Sequence, residues 1–496
     1  MNALALQVVV PLLSAPLCLL VRSAGFARLL AAASGLFGLG NAIWLLVAVR
    51  DGGPLRHAYG GFVPPIGIEH RLDLTGAYML VVIATIVAAT TAWAAITRLD
   101  ELGRSRRDLF FAAWQMCVAG LYGMTLTADV FNVFVFLEIA SLSTYVLIAH
   151  GSERRALVAS FRYLLMGTVG ATFLLIGIGL LYAMTGTLNM HDLAVRLQGT
   201  SHTSSVRTAL AFVSVGLWLK AAIFPLHLWL PSAYACAPAA VSALLAGTAT
   251  KVAFYLWLRF FFTAFAPTFA LDDLPVAKLL LALGLVGAVA GSLIAVFQDE
   301  PKRMLAWSSI AQIGYLIAGL SLATAAGVAA SLSHIASHAL VKSALFLALG
   351  GAIAALGANG RPLRLHDLRG LSRRMPLTAA AILVAGLGLI GVPLTSGFVS
   401  KWLLVDALLA ADQWFAAVVV LGTSLLAVVY VGRLVGAVFG SADDAPPPAA
   451  RVGLGAAAVV VVLCLLSIAL GIFTSFNVDL AAQAADELLG VTGSGK

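Results

Sequence analysis

Seven ionisable side chains lie inside long apolar stretches of this sequence, where a charge is expensive. They are Glu138, Lys220, Lys251, His334, His338, Lys342 and Lys401. Even a low estimate puts the cost of one Lys or Asp at the centre of a bilayer at about 2.5–3.5 kcal/mol, so such residues point to function. A carboxylate, lysines and histidines in such surroundings could take up and release protons. The sequence has no nucleophile elbow, phosphate-binding loop or dinucleotide fingerprint that would indicate another chemistry.

Glu138 and Lys220 have apolar neighbours on both sides. Glu138 ends the segment Phe131–Glu138, and Lys220 lies five residues before Pro225. Burial disfavours the charged form of a lysine, and a nearby carboxylate favours it. We therefore predict a switch in which the carboxylate holds the lysine's proton when it is close and releases it when it is displaced. The alternative is that these side chains only snorkel to the membrane surface.

His334, His338 and Lys342 are spaced at i, i+4 and i+8, so one face of a helix carries all three. Histidine titrates near neutral pH and is suited to proton relay. Two histidines at this spacing could also bind zinc, but no carboxylate or cysteine accompanies them and the lysine disfavours a metal. A purely structural polar seam is the other alternative. We predict a proton relay, with no metal and no cofactor.

Lys251 and Lys401 lie closer to the ends of their apolar runs. Lysines at such positions often extend their charged group to the membrane surface while the stem stays in the apolar region. The alternative, which we favour, is that the two lysines lie on either side of the histidines and form, with them, one continuous row of polar groups.

The composition requires lipid around this chain. Hydrophobic residues make up 61%, charged residues 10%, and the mean hydropathy is +1.00. Soluble domains carry roughly 25% charged residues. The net charge of +8 would suggest nucleic acid in a soluble protein, but here the basic residues lie mostly in short loops. The cysteines have neither metal-ligand nor redox-motif spacing: Cys18, Cys117, Cys236 and Cys464.

A spanning helix needs about 20 apolar residues. About 14 runs satisfy this length, which predicts an all-α integral membrane protein. They lie near 4–21, 27–49, 74–97, 109–128, 130–149, 161–184, 207–230, 236–264, 275–297, 304–323, 326–356, 376–410, 412–438 and 452–474.

Two of these runs contain residues that break helices. The seventh holds Pro225 and Pro231, and the twelfth holds Pro393 between two glycines. A break within the membrane is tolerated only where it is buried in protein or lines a wet cavity. Breaks five spans apart indicate two inverted five-helix repeats, although coincidence is the alternative. The predicted units are 1–108 (helices 1–3), 109–264 (first repeat), 265–438 (second repeat) and 439–496 (helix 14 and tail).

Loop charges predict the orientation. Positive loops face the cytoplasm, so both termini are expected on the non-cytoplasmic side of a bacterial inner membrane. Connections after even-numbered spans carry few basic residues, notably Arg56, Arg71 and Arg196. Those after odd-numbered spans carry Arg22, Arg104, Arg106, Arg107, Arg154, Arg155, Lys302, Arg303, Arg361, Arg364, Arg369, Arg373 and Arg374.

Five stretches carry a resemblance to a known family. They are Phe131–Tyr145, Leu217–Pro231, Ala237–Gly247, Lys302–Tyr315 and His334–Lys342. The chain resembles the antiporter-like membrane subunits shared by respiratory complex I, membrane-bound hydrogenases and Mrp-type cation/proton antiporters. The resemblance covers nearly the whole chain.

The resemblance implies 14 helices, with the seventh and twelfth broken. It implies that Glu138 and Lys220 form the charge pair of a first half-channel and that Lys251 bridges toward the centre. The histidines and Lys342 would form the central relay, and Lys401 would end the second half-channel.

Some family members carry Glu at the last of these positions. Lys401, together with a C-terminus that lacks a long lateral helix, makes the chain look most like the D-type subunit of Mrp antiporters. The expected function is then proton conduction in a multisubunit sodium/proton antiporter, with other membrane subunits as partners and no redox site of its own. The alternatives are the same role in a redox-driven complex, either complex I-like or hydrogenase-like, and a subunit of an inorganic-carbon system.

Overall fold

Helices dominate the structure, a computed structural model that describes residues 3–97, 107–198, 203–265, 276–357, 360–441 and 453–490. The helices of the first part are α1 (Ala3–Val21), α2 (Ala24–Gly52), α3 (Leu74–Ile96), α4 (Arg107–Leu126), α5 (Val130–Ala149), α6 (Arg155–Thr185), α7 (Met190–Arg196), α8 (Ser204–Ala221), α9 (Trp229–Cys236), α10 (Ala239–Gly247) and α11 (Ala249–Arg259). A π-helical turn, Phe260–Ala264, follows α11.

The second part continues in the same way. Its helices are α12 (Val276–Val296), α13 (Pro301–Leu320), α14 (Ala325–Ala355), α15 (Leu371–Arg374), α16 (Pro376–Ile390), α17 (Ser396–Ala410), α18 (Trp414–Phe439), α19 (Leu454–Ile472) and α20 (Thr474–Leu489). Short 3₁₀ turns lie at Tyr59–Gly61 and Leu365–Leu368.

Eleven helices of the described ranges are long and apolar enough to cross a membrane, counting α10, α11 and the π turn as one. They coincide with eleven of the predicted spans. The other three predicted spans coincide with α13 and with the interrupted pairs α8–α9 and α16–α17. Large apolar side chains on the outer surface are strongly exposed, as lipid-facing residues are: Phe297 (78%), Phe415 (76%) and Leu454 (79%). The predicted all-α membrane fold is confirmed.

Both predicted helix breaks are present. After α8, Ala222 adopts a left-handed conformation with φ 56°, and the chain is not helical again until Trp229. Pro225 lies in this gap, whereas Pro231 lies in the first turn of α9, where a missing backbone N–H needs no partner. Pro393 lies in the gap between α16 and α17, two residues after Gly391, which has a φ of 89°.

Three features were not predicted. The eighth span is also broken, because Thr248 has non-helical angles (φ −126°, ψ −61°) between α10 and α11. A short β-hairpin pairs β1 (Leu55–Ala58) with β2 (Glu69–Leu72), with His57 opposite His70. Finally, α20 is a helix that follows the last predicted span and packs against α3 and α14.

The two ends of the helix bundle differ in character. The hairpin end carries the β-hairpin, α7 and α20; there Asn189 donates to Glu69 Oε2 at 3.0 Å. The basic end carries most of the arginine-rich connections; there Arg155 forms an ion pair with Glu300 at 3.0 Å. Arg104 and Arg106 lie outside the described residues.

The long helix α14 occupies the middle of the bundle. It contacts α10, α13, α16, α17, α19 and α20, and all but a few of its residues are buried. Thr324 caps its first turn by accepting from the Gly327 amide at 3.2 Å. This position makes α14 the element on which groups from both parts of the chain can converge.

Candidate functional site

Lys220 is held against one face of α5. Its Nζ donates to Ser141 Oγ at 2.6 Å and lies 3.4 Å from the hydroxyl of Tyr145. Glu138, Ser141 and Tyr145 are spaced at i, i+3 and i+7, so the lysine lies along the face that carries the carboxylate. Lys220 and Glu138, both within the described ranges, form no ion pair in this conformation, and Glu138 Oε1 is buried without a hydrogen-bond partner.

Aromatic side chains surround the charged end of Lys220. The rings of Tyr145 and Tyr163 both have centroids 5.8 Å from Nζ, within the range of cation–π attraction. Tyr163 stacks on Trp229 with centroids 4.0 Å apart, and the Trp229 indole donates to the Leu219 carbonyl at 2.9 Å. The start of α9 therefore folds back on the end of α8 and fixes the position of Lys220.

A cavity of about 30 Å³ separates Lys220 from α11. Ser141, Thr144 and Tyr163 line it, together with Ala249 and Ala253, which flank Lys251 in sequence. A water needs roughly 10–15 Å³ of such space and two to four polar partners. The cavity thus has room for one or two waters between the two lysine-bearing helices.

The break at Thr248 positions Lys251. The last carbonyls of a helix have no partner within the helix. At the end of α10, the Leu245 carbonyl accepts from the Tyr234 hydroxyl at 3.1 Å, and the Ala246 carbonyl accepts from Lys251 Nζ. Lys251 is 1% exposed, so its ammonium depends on these helix-end carbonyls and on Thr250 Oγ1 at 3.4 Å.

Lys401 uses the same arrangement at the other break. Its Nζ donates to the last two carbonyls of α16, those of Leu389 at 3.0 Å and Ile390 at 2.8 Å. The negative end of a helix dipole favours a cation at such a position. Each of the two lysines is therefore held by the C-terminal carbonyls of an interrupted helix.

The histidines of α14 face the interior between these lysines. His334 and His338 are each 2% exposed, and their rings stack with centroids 5.9 Å apart. His334 Nδ1 lies 2.9 Å from Ser400 Oγ, next to Lys401 in sequence. Both ring nitrogens of His338 are buried without a hydrogen-bond partner.

Lys342 and Tyr315 extend the row of polar groups. Lys342 Nζ donates to the Leu305 carbonyl at 2.7 Å and to Ser308 Oγ, both on α13. The Tyr315 ring lies 5.3 Å from Lys401 Nζ and 5.7 Å from the His334 ring, so it bridges the two. Lys251, Lys342 and Lys401 all lie within electrostatic range of His338.

The site does not have the form of a metal centre. Within the described ranges, no three His, Cys, Asp or Glu side chains converge as metal ligands. The two imidazoles stack rather than point at one position, and the neighbouring charges are positive. The arrangement is suited to moving protons between titratable groups, directly or through water.

Comparison with known proteins identifies the family. The family model described as "NADH:quinone oxidoreductase/Mrp antiporter, TM" matches residues 127–427, more than half of the chain. The chain belongs to this family.

Relatives come from two kinds of complex. The chain is 41% identical to the N-type subunit of NADH-quinone oxidoreductase from Desulforudis audaxviator, over 87% of this chain and 85% of the relative. It is 29% identical to the D-type subunit of the Na(+)/H(+) antiporter from Bacillus subtilis, over 98% and 97%. A chain in the structure of the Mrp complex from Dietzia sp. DQ12-45-1b matches with a TM-score of 0.90 and 29% identity, covering 99% of this chain and 98% of that one.

The structure brings the residues predicted to carry protons together in two groups. One joins Lys220 to the Glu138 face of α5, and the other joins the α14 histidines and Lys342 to Lys401. Lys251 lies between α8 and α14, because its helix packs on α8 while α10 packs on α14. Sequence reasoning missed the hydroxyl partners Ser141, Tyr145, Ser308 and Ser400, which have no local sequence signal.

Gly167 on α6 leaves no room for a larger residue beside the Lys220 site. A Cβ at this position would lie 2.0 Å from the Tyr145 hydroxyl and 3.1 Å from Lys220 Nζ. Gly167→Ala should therefore displace both groups and reduce proton flux, measured in vesicles containing the assembled complex. Gly179→Ala is the matched control, since it lies on the same helix and its Cβ would meet nothing within 4 Å. Equal flux in the two variants would contradict this prediction.

Proposed function

We propose that this chain is the proton-conducting subunit of a multisubunit monovalent cation (sodium)/proton antiporter. The observation that carries the proposal is the buried row of titratable groups across the bundle. Lysines mark the interrupted helices, and the α14 histidines lie between Lys251 and Lys401. The similarity to the Bacillus antiporter protein and to a chain of the Dietzia Mrp complex supports this assignment.

The proposed mechanism starts at Lys220. Its ammonium bonds Ser141 and Tyr145 in this conformation, while Glu138, one turn from Ser141, keeps an unpartnered oxygen. Movement of Nζ toward that carboxylate would raise its affinity for a proton, and return to the hydroxyls would lower it. The released proton would pass through the adjacent water-sized cavity toward Lys251, and then by way of His338 and His334 to Lys401.

The helix-end carbonyls give Lys251 and Lys401 a role in this relay. A carbonyl stabilises the ammonium without supplying a full opposing charge, so either protonation state can exist within the bundle. Lys342, which donates to hydroxyl and carbonyl oxygens of α13, would belong to the same central relay as the histidines, because these oxygens also leave either protonation state possible. Transfer between such groups requires hydrogen bonds or one or two bridging waters.

We also propose that the two repeats predicted from the sequence are present. Residues 109–264 and 265–438 would be the inverted five-helix units, each with an interrupted helix that carries a proton-transfer lysine. Residues 1–108 and 439–496 would flank them. We also propose a bacterial inner membrane with the basic end in the cytoplasm and both termini on the opposite side.

A redox-driven complex is the second candidate, in which partner subunits perform electron transfer and this chain moves the protons. The observation that favours it is the 41% identity to a protein named for NADH-quinone oxidoreductase. Purification of the intact complex and identification of its subunits decides between the two. Other antiporter subunits support the first proposal, and iron–sulfur or quinone-reducing subunits support the second.

Substitution of Glu138 tests the charge switch. Glu138→Gln should stop or strongly slow proton flux, because an amide cannot raise the proton affinity of Lys220 by Coulomb attraction. Glu138→Asp should retain part of the flux. Flux measured in vesicles, after assembly is checked on native gels, separates the two variants. If the Gln variant transports as well as the Asp variant, charge at this position plays no part.

A further inference from the structure

A polar stripe continues from Lys251 along α11. Lys251, Tyr255 and Arg259 occupy positions i, i+4 and i+8, so they share one face of the helix. Tyr255 is 2% exposed and its neighbours on α11 are buried as well. The stripe therefore leads through the protein from the centre of the proton path to the hairpin end.

The stripe ends in an ion pair at the hairpin end of the bundle. Arg259 Nη2 bonds Asp73 Oδ1, and Arg259 Nε donates to the Tyr255 hydroxyl at 2.9 Å. The Tyr255 hydroxyl in turn lies 3.2 Å from the Thr125 carbonyl at the end of α4. Only 11% of the Arg259 side chain and 13% of the Asp73 side chain are exposed. These contacts tie together the ends of α3, α4 and α11.

Asp73 also has a local role. Its Oδ1 accepts from the Gly76 amide at 2.9 Å and so caps α3. Burial tends to raise the pKa of this carboxyl, but the charge and hydrogen bond of Arg259 outweigh that effect and lower its pKa overall. The carboxylate therefore stays ionised at neutral pH and is suited to hold a cation rather than to carry protons.

Helix α20 covers the same corner. Glu487 Oε2 accepts from the Leu74 amide at 2.8 Å, and Thr75 Oγ1 donates to the Ala484 carbonyl at 2.7 Å. A buried ion pair is weak evidence for stability, because well-packed apolar groups of the same size often stabilise as much or more. An Arg–Asp pair at the outer end of a proton-transfer helix is better explained as a barrier to proton movement.

We infer that the Asp73–Arg259 pair seals a second polar route, from Lys251 through Tyr255 to the hairpin end. The carboxylate of Asp73 holds the guanidinium at the end of the stripe, where its positive charge repels cations, and the pair keeps bulk water away from Tyr255. Protons are then directed along α14 rather than lost past Tyr255. This inference rests on the proposed function, since it assigns a closed branch to the same path.

The test measures passive proton leak. The assembled complex is placed in vesicles with an imposed pH gradient, without sodium, and gradient decay is followed with a pH-sensitive dye. Asp73→Asn keeps the helix cap, because Asn caps as well as Asp, but it replaces the carboxylate by a neutral amide, so Arg259 is no longer anchored by an opposite charge and can move away from the stripe. The expected result is a several-fold faster decay than in the wild type.

Three further variants decide the interpretation. Asp129→Asn is the matched control: Asp129 caps α5 at the same end by accepting from the Asn132 amide at 2.7 Å, and it should leave the leak unchanged. Arg259→Gln breaks the pair from the other side and should also leak. Combining Asp73→Asn with Lys251→Ala should suppress the leak, because the route begins at Lys251.

Each other outcome overturns the inference. If the pH gradient decays at the wild-type rate in both Asp73→Asn and Arg259→Gln, the ion pair does not block proton leak. If neither variant assembles into the complex, the ion pair has a structural role. A leak that persists without Lys251 would place the route elsewhere. Wild-type transport by Lys220→Ala would instead count against the proposed function, whatever the leak.

Discussion

Replacement of Lys220 by alanine is expected to abolish proton transport while the complex still assembles. A positioned acid–base group contributes about 10²–10⁴-fold to proton transfer, so flux should fall by about 10²-fold or more. The fold should tolerate the change, because burial of the ammonium in this apolar core is itself costly. Proton flux in vesicles and native gels of the complex measure the two effects separately.

Lys278→Ala is the matched control, since Lys278 is exposed in the first turn of α12. It should transport at the wild-type rate. The structure also predicts which part of the Lys220 site is lost in the variant. Ser141 and Tyr145 would lose their cation, but the Ser141 hydroxyl retains another contact, because its Oγ donates to the Leu137 carbonyl at 2.6 Å. Flux at the wild-type level in Lys220→Ala would remove the basis of the proposed mechanism.

Much of the fold could be predicted because it depends on local sequence. An apolar run of about 20 residues must satisfy its backbone internally, which makes it a helix regardless of its neighbours. Pro225 and Pro393 interrupt two such runs by simple chemistry, since proline lacks the amide that a continuous helix needs. The positions of the buried charges also followed from sequence alone, because each interrupts an otherwise apolar segment.

The partners of those charges could not be predicted. Lys220 bonds Ser141, 79 residues away, and His334 bonds Ser400, 66 residues away. Serines are common in membrane helices, and only the packing of α5 and α8 on α6, or of α14 on α17, selects these two. The break at Thr248 was missed for a related reason. Gly247 and two threonines weaken the helix there, but the tertiary contacts of Tyr234 and Lys251 supply the partners that make a break stable.

The extent of the C-terminal region depended on tertiary contacts as well. α20 is less apolar than the spans and carries Asp479, Asp486 and Glu487, so no membrane criterion selects it. It is held by polar contacts with distant helices, including Asn477 to Ser333 at 2.9 Å. That contact lies next to His334, so a segment outside the predicted spans helps to fix the helix that carries the proposed relay.

The two lysines at helix ends suggest why this arrangement recurs in both parts of the chain. A carboxylate partner would hold a buried lysine permanently charged, whereas burial without any partner would keep it neutral. Helix-end carbonyls lie between these extremes, and a break within the membrane is what makes them available. Glu138 is then needed only near Lys220, where the proposed mechanism starts.

His338→Leu should abolish transport without destabilising the protein. Both ring nitrogens of His338 are buried and lack a protein partner, so leucine removes no protein hydrogen bond. An unsatisfied buried polar group costs about 1–3 kcal/mol, so stability should be unchanged or raised. Transport should fall by about 10²-fold or more, because a titrating group between Lys251 and Lys401 is lost. Thermal unfolding of the purified complex and proton flux in vesicles measure the two quantities.

Two comparisons make this result specific to a proton relay. His366→Leu is the control, since His366 is exposed at the basic end, and it should leave flux unchanged. His338→Gln can hold a water by hydrogen bonds but cannot titrate, so it should transport as poorly as the leucine variant. Wild-type proton flux in the His338→Gln variant would show that His338 only holds a water and does not need to titrate. A large loss of stability with leucine would instead show that the imidazole is a structural group, and the continuous path through α14 would have to be abandoned in favour of two separate half-channels.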